Sequence, residues 1–191
     1  VTIKAVSKEK KKKSPPPLFS LTELQKVANR MYGFSAKKTL TLTQTLYEKN
    51  KCLSYPRTDA TVLGTTSYPQ AKGLVDLFKS SHGDYFKYFD PAKLSLKNTK
   101  VFNDSKLTDH HALIPLKRAN PSGDEGKIFD LVLRRFIGVF SKDFEYEETK
   151  ILTQVAEENF KSKGQQIICL GWKSLSGGDK EQFLPAVQKG E

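Results

Sequence analysis

Residues 51–59 read Lys51-Cys-Leu-Ser-Tyr55-Pro-Arg57-Thr-Asp59 and follow a region with helical spacing of apolar residues. The proline after Tyr55 favours extended backbone at the tyrosine. In extended backbone, residues two positions apart point to the same side, so we expect Arg57 beside the phenol. A guanidinium there would favour ionisation of the phenol, whose ordinary pKa is about 10, and would hold a phosphate with two hydrogen bonds. Tyr55 is therefore a candidate nucleophile toward a phosphodiester.

The same tripeptide has a structural interpretation as well. A Tyr-Pro-Arg sequence at a strand end is usually a turn whose tyrosine packs along the surface, and spacing alone favours that interpretation. The hydroxyl of Thr58 and the carboxylate of Asp59 would then brace the loop. If the tyrosine is the nucleophile, we expect Ser54, Thr58 and Asp59 to line the DNA-binding surface around it.

Two helices are predicted before this stretch. The first runs from Ser20, a candidate N-cap, to Tyr32, and Gly33 follows in the position typical of a helix end. The second is capped by Ser35 and runs to about Lys49. Two short helices joined by a tight glycine turn are typical of a helix-turn-helix, and a strand leading to the tyrosine would correspond to the wing.

The polar face of the second helix is a candidate surface for a phosphate backbone. Lys37 and Lys38 lie in its first turn, and both are predicted DNA contacts. Ordinary solvation is the alternative, and it is favoured for any single lysine.

A second polar site is predicted at Asp109-His-His-Ala-Leu-Ile-Pro115. Adjacent histidines cannot both face one point on a regular helix or strand, and no further ligand follows at metal spacing, so we predict no metal site. A histidine can donate to a phosphate oxygen. Without other information, His110 is interpreted as a loop histidine bonded to the backbone.

Later segments complete the predicted organisation. A helix begins at Thr66 or Ser67, and another runs from Ser122 or Asp124 to about Phe140. Arg134 and Arg135 lie off the apolar stripe of that last helix, where they would contact phosphates or pair with surface carboxylates.

The two ends of the chain have the alternating pattern of β-strands. Strands are predicted at 1–6, 144–158 and 165–170, with a turn at Lys161–Gly164 between the last two. The run Lys8–Lys13 is expected to be solvated and mobile, and residues 14–17 form a stiff connector.

Composition limits the class of protein. The net charge is +11, from 32 basic and 21 acidic residues, which predicts a polyanionic partner. No apolar run could cross a bilayer, so we expect a soluble, intracellular protein without a membrane partner, and its two cysteines are expected to be reduced. No phosphate-binding G-x-x-x-x-G-K-[ST] loop is present. The last residues form no cap, and the chain resembles a piece of something larger.

Four stretches together resemble the type IA DNA topoisomerases, especially those like topoisomerase III. In order, they are Pro16-Pro-Leu-Phe-Ser-Leu-Thr-Glu-Leu-Gln25, Gly33-Phe-Ser-Ala-Lys-Lys-Thr-Leu40, Leu53-Ser-Tyr-Pro-Arg-Thr-Asp59 and Asp109-His-His-Ala-Leu-Ile-Pro115. The resemblance covers roughly residues 15–172.

The resemblance implies a fold and a mechanism. The fold is α+β, with a mainly helical, winged-helix-like tyrosine domain at 18–141 inserted between an arch strand and linker at 1–17 and arch strands at 142–191. Tyr55 would break and rejoin single-stranded DNA by ATP-independent transesterification, through a 5′-phosphotyrosine, with Arg57 and His110 assisting. His111 falls where relatives carry glutamate, and we include it among the DNA contacts.

Further expectations concern the rest of such an enzyme. Family members bind Mg²⁺ through an N-terminal acidic domain, and no comparable acidic cluster is found here, so we expect the fragment alone to be inactive and to hold no metal. The parent enzyme is expected to be a monomer, in the cytoplasm or nucleoid if bacterial. Two other classes remain: a non-catalytic winged-helix module that binds single-stranded DNA, and a protein-interaction scaffold.

Overall fold

The computed structural model describes all 191 residues, which divide into two compact units. One unit contains residues 1–15 and 142–191, and the other contains residues 16–141. The first unit is built on an antiparallel sheet and the second on helices. The chain therefore combines helices with an antiparallel sheet, which confirms the predicted α+β class.

Four α-helices form the frame of the helical unit, and three of them, α1, α2 and α4, pack against one another. The helix α4 is the most buried, because its apolar residues recur at helical spacing and most of them are fully enclosed. The bounds are α1 Leu21–Tyr32, α2 Ala36–Glu48, α3 Tyr68–Lys79 and α4 Gly123–Gly138.

Local capping explains why α1 and α2 begin, and why α1 ends, where the sequence predicts. The Oγ of Ser20 accepts a hydrogen bond from the N–H of Glu23, and the Oγ of Ser35 accepts one from the N–H of Lys38. Gly33 ends α1 in the left-handed conformation, at φ 69°, and its N–H donates to Asn29.

The segment after α2 contains a single isolated β-bridge and no longer strand. Lys51 has a positive φ of 52°, which turns the chain so that the N–H of Cys52 reaches the carbonyl of Leu46. Leu53 then forms a single isolated antiparallel bridge with Pro115. The helix pair is present, but the winged-helix description stays a prediction.

The sheet unit contains three antiparallel strands in the order β1-β2-β3. The strand β1 is Thr2–Lys13, β2 is Phe144–Val155 and β3 is Glu158–Cys169. Residues 156 and 157 form the tight turn between β2 and β3, with Ala156 at φ 53°. All three strands have twelve residues, and β2 is paired with β1 from Phe144 to Gln154 and with β3 from Glu145 to Val155.

The predicted turn at Lys161–Gly164 was wrong, since these residues lie inside β3. Gly164 serves another purpose there, because a Cβ on this residue would lie 2.7 Å from the carbonyl oxygen of Gln182. The glycine allows a second backbone segment to approach the strand closely, and it is not a chain reversal.

The prediction that Lys8–Lys13 is mobile was also wrong, because the run forms the second half of β1. The lysines do not repel one another out of the sheet, since the facing strand supplies carboxylates at matching positions. The cross-strand ion pairs are Lys8–Glu147 at 3.3 Å, Lys11–Glu148 at 2.8 Å and Lys12–Glu145 at 2.9 Å.

Two further observations concern the whole chain. No helix is both long enough and apolar enough to cross a bilayer. Cys52 is buried and Cys169 is half-buried, both as free thiols. Burial raises the pKa of Cys52, which makes its thiol less reactive.

Candidate active site

The backbone before Tyr55 is fastened to the segment that carries the two adjacent histidines. Ser54 is buried, and its N–H donates to the carbonyl of Ile114 at 3.0 Å. Its Oγ accepts from the N–H of Ile114 at 2.9 Å and donates to the carbonyl of Ala112 at 3.2 Å. The position of Tyr55 relative to the histidines is therefore set by a short, buried hydrogen-bonded contact.

Tyr55 is half-buried, and its ring contacts two other rings. Its ring centroid is 5.5 Å from that of Tyr47, in an edge-to-face arrangement with an interplanar angle of 79°. The centroid of the His110 ring is 4.3 Å away, with an interplanar angle of 40°. The Tyr55 hydroxyl has no hydrogen-bond partner in the chain, so it is available to a ligand.

An open cleft of about 270 Å³ lies beside the Tyr55 ring. Its lining is mostly polar and consists of Tyr55, Gly64, Thr66, Ser67, Leu107, Thr108, Asp109, His110 and His111. The carboxylate of Asp104 ties two of these segments together, because it accepts from the N–H of Thr65 at 2.8 Å and from its Oγ1 at 2.6 Å. These two bonds lower the pKa of Asp104.

Arg57 does not line this cleft. The chain bends at Pro56 and Arg57, where the N–H of Thr58 donates to the carbonyl of Pro56. The extended backbone on which we based the Tyr55–Arg57 pairing is therefore absent from this structure. The guanidinium is exposed and has no partner within the chain, so its role stays a prediction.

Thr58 and Asp59 differ in their surroundings. Thr58 is buried; its Oγ1 accepts from the N–H of Ala60, and its carbonyl accepts from the N–H of Leu21 at the start of α1. Asp59 is exposed and has no ion pair. Thr58 and Ser54 thus fix the loop from inside, whereas Asp59 is accessible to a ligand.

The two adjacent histidines have different environments. His110 is exposed and its ring packs on Tyr55. His111 is half-buried, and its Nδ1 lies 2.7 Å from the carbonyl oxygen of Ala112, to which it donates. Both residues line the cleft, but only His110 contacts the candidate nucleophile through its ring.

The two lysines of α2 have different environments. Lys38 forms an ion pair with Asp124 at 2.6 Å and lies over the ring of Phe34. Lys37 is exposed, and its ammonium group has no partner within the chain. Lys37 is therefore the lysine of this pair whose charge is free for an anionic ligand.

Both arginines of α4 already have partners. Arg134 donates from Nε to Asp130 at 2.6 Å and from its second terminal nitrogen to the Tyr85 hydroxyl at 2.8 Å. Arg135 donates to the carbonyl of Pro17, and burial lowers its pKa to about 10. Phosphate contacts by these residues would have to replace existing bonds, and their assignment as DNA contacts stays a prediction.

The residues of the chain do not fit a magnesium site. Mg²⁺ prefers oxygen ligands from clustered carboxylates. No three or more histidines, cysteines, aspartates and glutamates lie close enough together to hold a metal ion. We therefore derive no step of chemistry through a metal bound here.

Several residues around Tyr55 were missed by the sequence analysis. Nothing in the sequence marked Tyr47, Thr66, Ser67 or Thr108 as neighbours of Tyr55. Only the tertiary fold brings them to the cleft.

Most of the excess positive charge belongs to the helical unit. That unit has 19 basic and 11 acidic residues, a net charge of +8, whereas the sheet unit has 13 basic and 10 acidic residues, a net charge of +3. The unit with the candidate nucleophile is thus also the one with the stronger attraction for a polyanion.

Comparisons with known proteins agree on one family. A family model described as DNA topoisomerase matches residues 1–191. The chain is 37% identical over 201 residues to DNA topoisomerase 3 of Bacillus subtilis (strain 168), which covers 97% of this chain and 27% of that protein. It is also 37% identical over 210 residues to DNA topoisomerase 3 of Bacillus anthracis, covering 100% of this chain and 28% of the relative. The chain thus spans little more than a quarter of the length of these relatives.

The fold has a match among solved structures. Full-length Topoisomerase I from Thermotoga maritima is similar with a TM-score of 0.72 and 23% sequence identity. The similarity covers all of this chain and 32% of that one. At this identity the match shows that the fold is shared.

Proposed function

Because the chain belongs to the type IA DNA topoisomerases, in the branch like topoisomerase III, we propose that Tyr55 is the tyrosine with which such an isomerase breaks DNA. One observation supports this proposal above the others. The phenol of Tyr55 lines an open polar cleft beside His110, and its hydroxyl has no partner within the chain. Since the chain is little more than a quarter of the relatives' length, the activity is proposed for the longer enzyme.

The proposed reaction is a reversible transesterification on single-stranded DNA. The Tyr55 oxygen attacks a backbone phosphorus and loses its proton, while the bond from phosphorus to the 3′ oxygen breaks and that oxygen leaves as a hydroxyl. The 5′-phosphate is then joined to Tyr55. One phosphodiester replaces another, so no nucleotide energy source is required, and attack by the 3′-hydroxyl reverses the step after another strand has passed. The outcome is relaxation or decatenation of DNA.

Two groups are proposed to assist the attack. The His110 ring lies against the phenol and can donate to a phosphate oxygen from an exposed loop. Arg57 would stabilise the negative charge that develops on the phosphate. Its guanidinium has no partner to give up, but it does not line the cleft, so the loop at Pro56 and Arg57 must move for it to reach a bound phosphate.

The remaining predicted residues would act on the DNA backbone or on the loop. Lys37 and Asp59 are exposed and lack partners, and His111 lines the cleft, so these residues are proposed to meet the DNA directly. Ser54 and Thr58 are proposed to hold the tyrosine loop from inside. We expect no relaxation of DNA by this chain alone, and we expect the enzyme to work where cellular DNA is found.

The test is covalent trapping in a full-length protein that contains this chain. A single-stranded oligonucleotide labelled at one end is incubated with the protein, and the mixture is denatured and separated by size. We expect a labelled adduct with the wild type and with Tyr88→Phe as a matched control, and none with Tyr55→Phe. An adduct that persists in Tyr55→Phe would overturn the assignment.

A second candidate is a non-catalytic module that binds single-stranded DNA. The net charge of +8 on the helical unit and its helix pair favour this alternative. It predicts that the wild type retards the oligonucleotide without forming any adduct, so the same experiment separates the two.

A further inference from the structure

We propose that Tyr47 is a positioning residue for the nucleophile, and that its ring holds the Tyr55 phenol against His110. This inference rests on the proposed function of Tyr55. It adds a residue of α2 to the catalytic group, for which the sequence offered only Tyr55, Arg57 and His110.

The first argument is that few contacts within the chain hold the Tyr55 side chain in place. Its hydroxyl makes no hydrogen bond within the chain, so no polar contact sets the orientation of its ring. The ring contacts that orient it are the edge-to-face contact with Tyr47 and the tilted contact with His110. A ring whose orientation is restricted before DNA binds has less rotational freedom to lose in the transition state, which favours a faster attack.

The second argument is that the two neighbouring rings are anchored differently. Tyr47 stands in the last turn of α2, directly after the fully buried Leu46, on a helix that packs against α1 and α4. His110 is an exposed residue in an irregular segment. Tyr47 therefore provides the fixed wall of the pair, whereas His110 belongs to the side that meets the ligand.

The third argument concerns which part of Tyr47 is used. Its hydroxyl has no hydrogen bond within the chain, whereas its ring contacts Tyr55 and lies 5.8 Å from the Lys51 ammonium. An edge-to-face pair depends on the ring and not on the hydroxyl. Phenylalanine at this position should therefore keep the function, and an aliphatic or amide side chain should not.

If Tyr47 has only a structural role, its replacement should change stability and not the rate of attack. Removing a half-buried aromatic ring would then lower the thermal stability without a separate effect on the rate of attack. Tyr32 provides the matched control, since it is also half-buried, ends α1, and pairs with the ring of Phe34 at 5.4 Å without lining the cleft.

The experiment uses the full-length protein with Tyr47→Phe, Tyr47→Leu, Tyr47→Gln and the control Tyr32→Leu. The rate of adduct formation is measured in a single turnover at saturating single-stranded oligonucleotide, together with the Kd for the oligonucleotide and the midpoint of thermal unfolding. An aromatic pair is worth up to about 1.5 kcal/mol, so we expect Tyr47→Leu and Tyr47→Gln to slow the rate by roughly three- to tenfold. Tyr47→Phe should match the wild type, and the Kd should change less than about twofold in every variant.

The possible outcomes separate this inference from the proposed function. If Tyr55-dependent adducts form at an unchanged rate in Tyr47→Leu and Tyr47→Gln, the inference fails and the proposed function stands. If Tyr47→Phe is as slow as Tyr47→Leu, or Tyr32→Leu slows the rate equally, a positioning role for the ring is also excluded. Tyr55→Phe is tested alongside these variants, and an adduct that still forms in it would instead overturn the proposed function itself.

Discussion

The ring of Tyr55 lies 4.3 Å, centroid to centroid, from the ring of His110, although the two residues are far apart in the chain. This proximity depends on the bonds of Ser54 to Ala112 and Ile114, which align the two segments. Neither ring has a hydrogen bond to the other, so the contact leaves both polar ends available for a phosphate.

The first prediction concerns the two histidines. We expect His110→Ala to slow adduct formation in the full-length protein on the order of a hundredfold, because it removes the group that can assist proton transfer and phosphate binding beside the phenol. His111→Ala should have a smaller effect on the rate, since the ring of His111 bonds the carbonyl of Ala112. Single-turnover trapping measures both, and a larger effect of His111→Ala would refute the assigned roles.

The second prediction concerns Ser54. Its Oγ is the acceptor for the buried N–H of Ile114, so Ser54→Ala leaves that donor without a partner. An unsatisfied buried donor costs about 1–3 kcal/mol, and we expect the free energy of unfolding of this chain to fall by that amount. Chemical denaturation measures it.

The control for Ser54 is Ser122→Ala, since Ser122 is exposed and its side chain makes no capping bond. That variant should unfold within about 0.5 kcal/mol of the wild type. Equal stability of the two variants would show that the bond from Ser54 to the histidine segment does not hold the loop.

Features that depend on neighbouring residues were predicted well from the sequence. The ends of α1 follow from Ser20 and Gly33, because an N-cap hydroxyl and a left-handed glycine act within one helical turn. The features that were missed depend on distant partners. Lys8–Lys13 became a strand because carboxylates of β2 face it, and Gly164 is required by the backbone of Gln182.

The candidate site shows the same division. The tyrosine and the histidine pair could be selected by their chemistry and by the family resemblance. The cleft wall at Thr66 and Thr108 could not be selected, because hydroxyl residues of this kind occur throughout the sequence and only the fold decides which of them lie near Tyr55. The bend at Arg57 is likewise a property of the folded loop.

The third prediction compares Lys37, whose charge has no partner in the chain, with Arg134, which is already hydrogen-bonded. Lys37→Ala should weaken binding of single-stranded DNA and leave the stability of the chain unchanged. The slope of log Kd against log salt concentration should fall by about 0.7, the value for one phosphate contact. Arg134→Ala should instead destabilise the chain by roughly 1–3 kcal/mol, because Asp130 and Tyr85 lose their shared partner. Titrations at several salt concentrations and denaturation curves measure the two effects. If Arg134→Ala instead weakens DNA binding and leaves the stability unchanged, Arg134 contacts phosphate.

The fourth prediction is a pH dependence from Tyr85. Burial, followed by its hydrogen bond to Asp130, raises the pKa of Tyr85 to about 12 from an ordinary value of 10. The unfolded chain therefore loses this proton at lower pH than the folded chain, and the stabilisation is present below pH 10 and lost as the pH rises toward 12. It amounts to at most roughly 2 to 3 kcal/mol.

The variant that tests this is Tyr85→Phe, compared with Tyr88→Phe. The difference in unfolding free energy between the wild type and Tyr85→Phe should shrink between pH 9.5 and pH 12, because only the wild type has this proton to lose. Tyr88→Phe should follow the wild type across the range. A constant difference for Tyr85→Phe would mean that its hydroxyl is not protected from ionisation.

The fifth prediction concerns the ion pairs of the sheet unit at acid pH. Hydrogen bonds first from Lys11 and then from Lys150 lower the pKa of Glu148 to about 2. The stabilisation from this carboxylate is therefore present above the ordinary glutamate pKa and is lost as the pH falls through 4.5 toward 2. In Glu148→Gln that titration is absent, so its thermal midpoint should fall less than that of the wild type over this range.

The control is Glu157→Gln, in the turn and without an ion pair, which should behave as the wild type does. The difference in thermal midpoint between the wild type and Glu148→Gln at neutral pH should narrow in 1 M salt, because the Lys11–Glu148 pair is only part-buried and salt screens it. Identical acid profiles for the wild type and Glu148→Gln would show that the ion pairs of Glu148 with Lys11 and Lys150 do not stabilise the sheet.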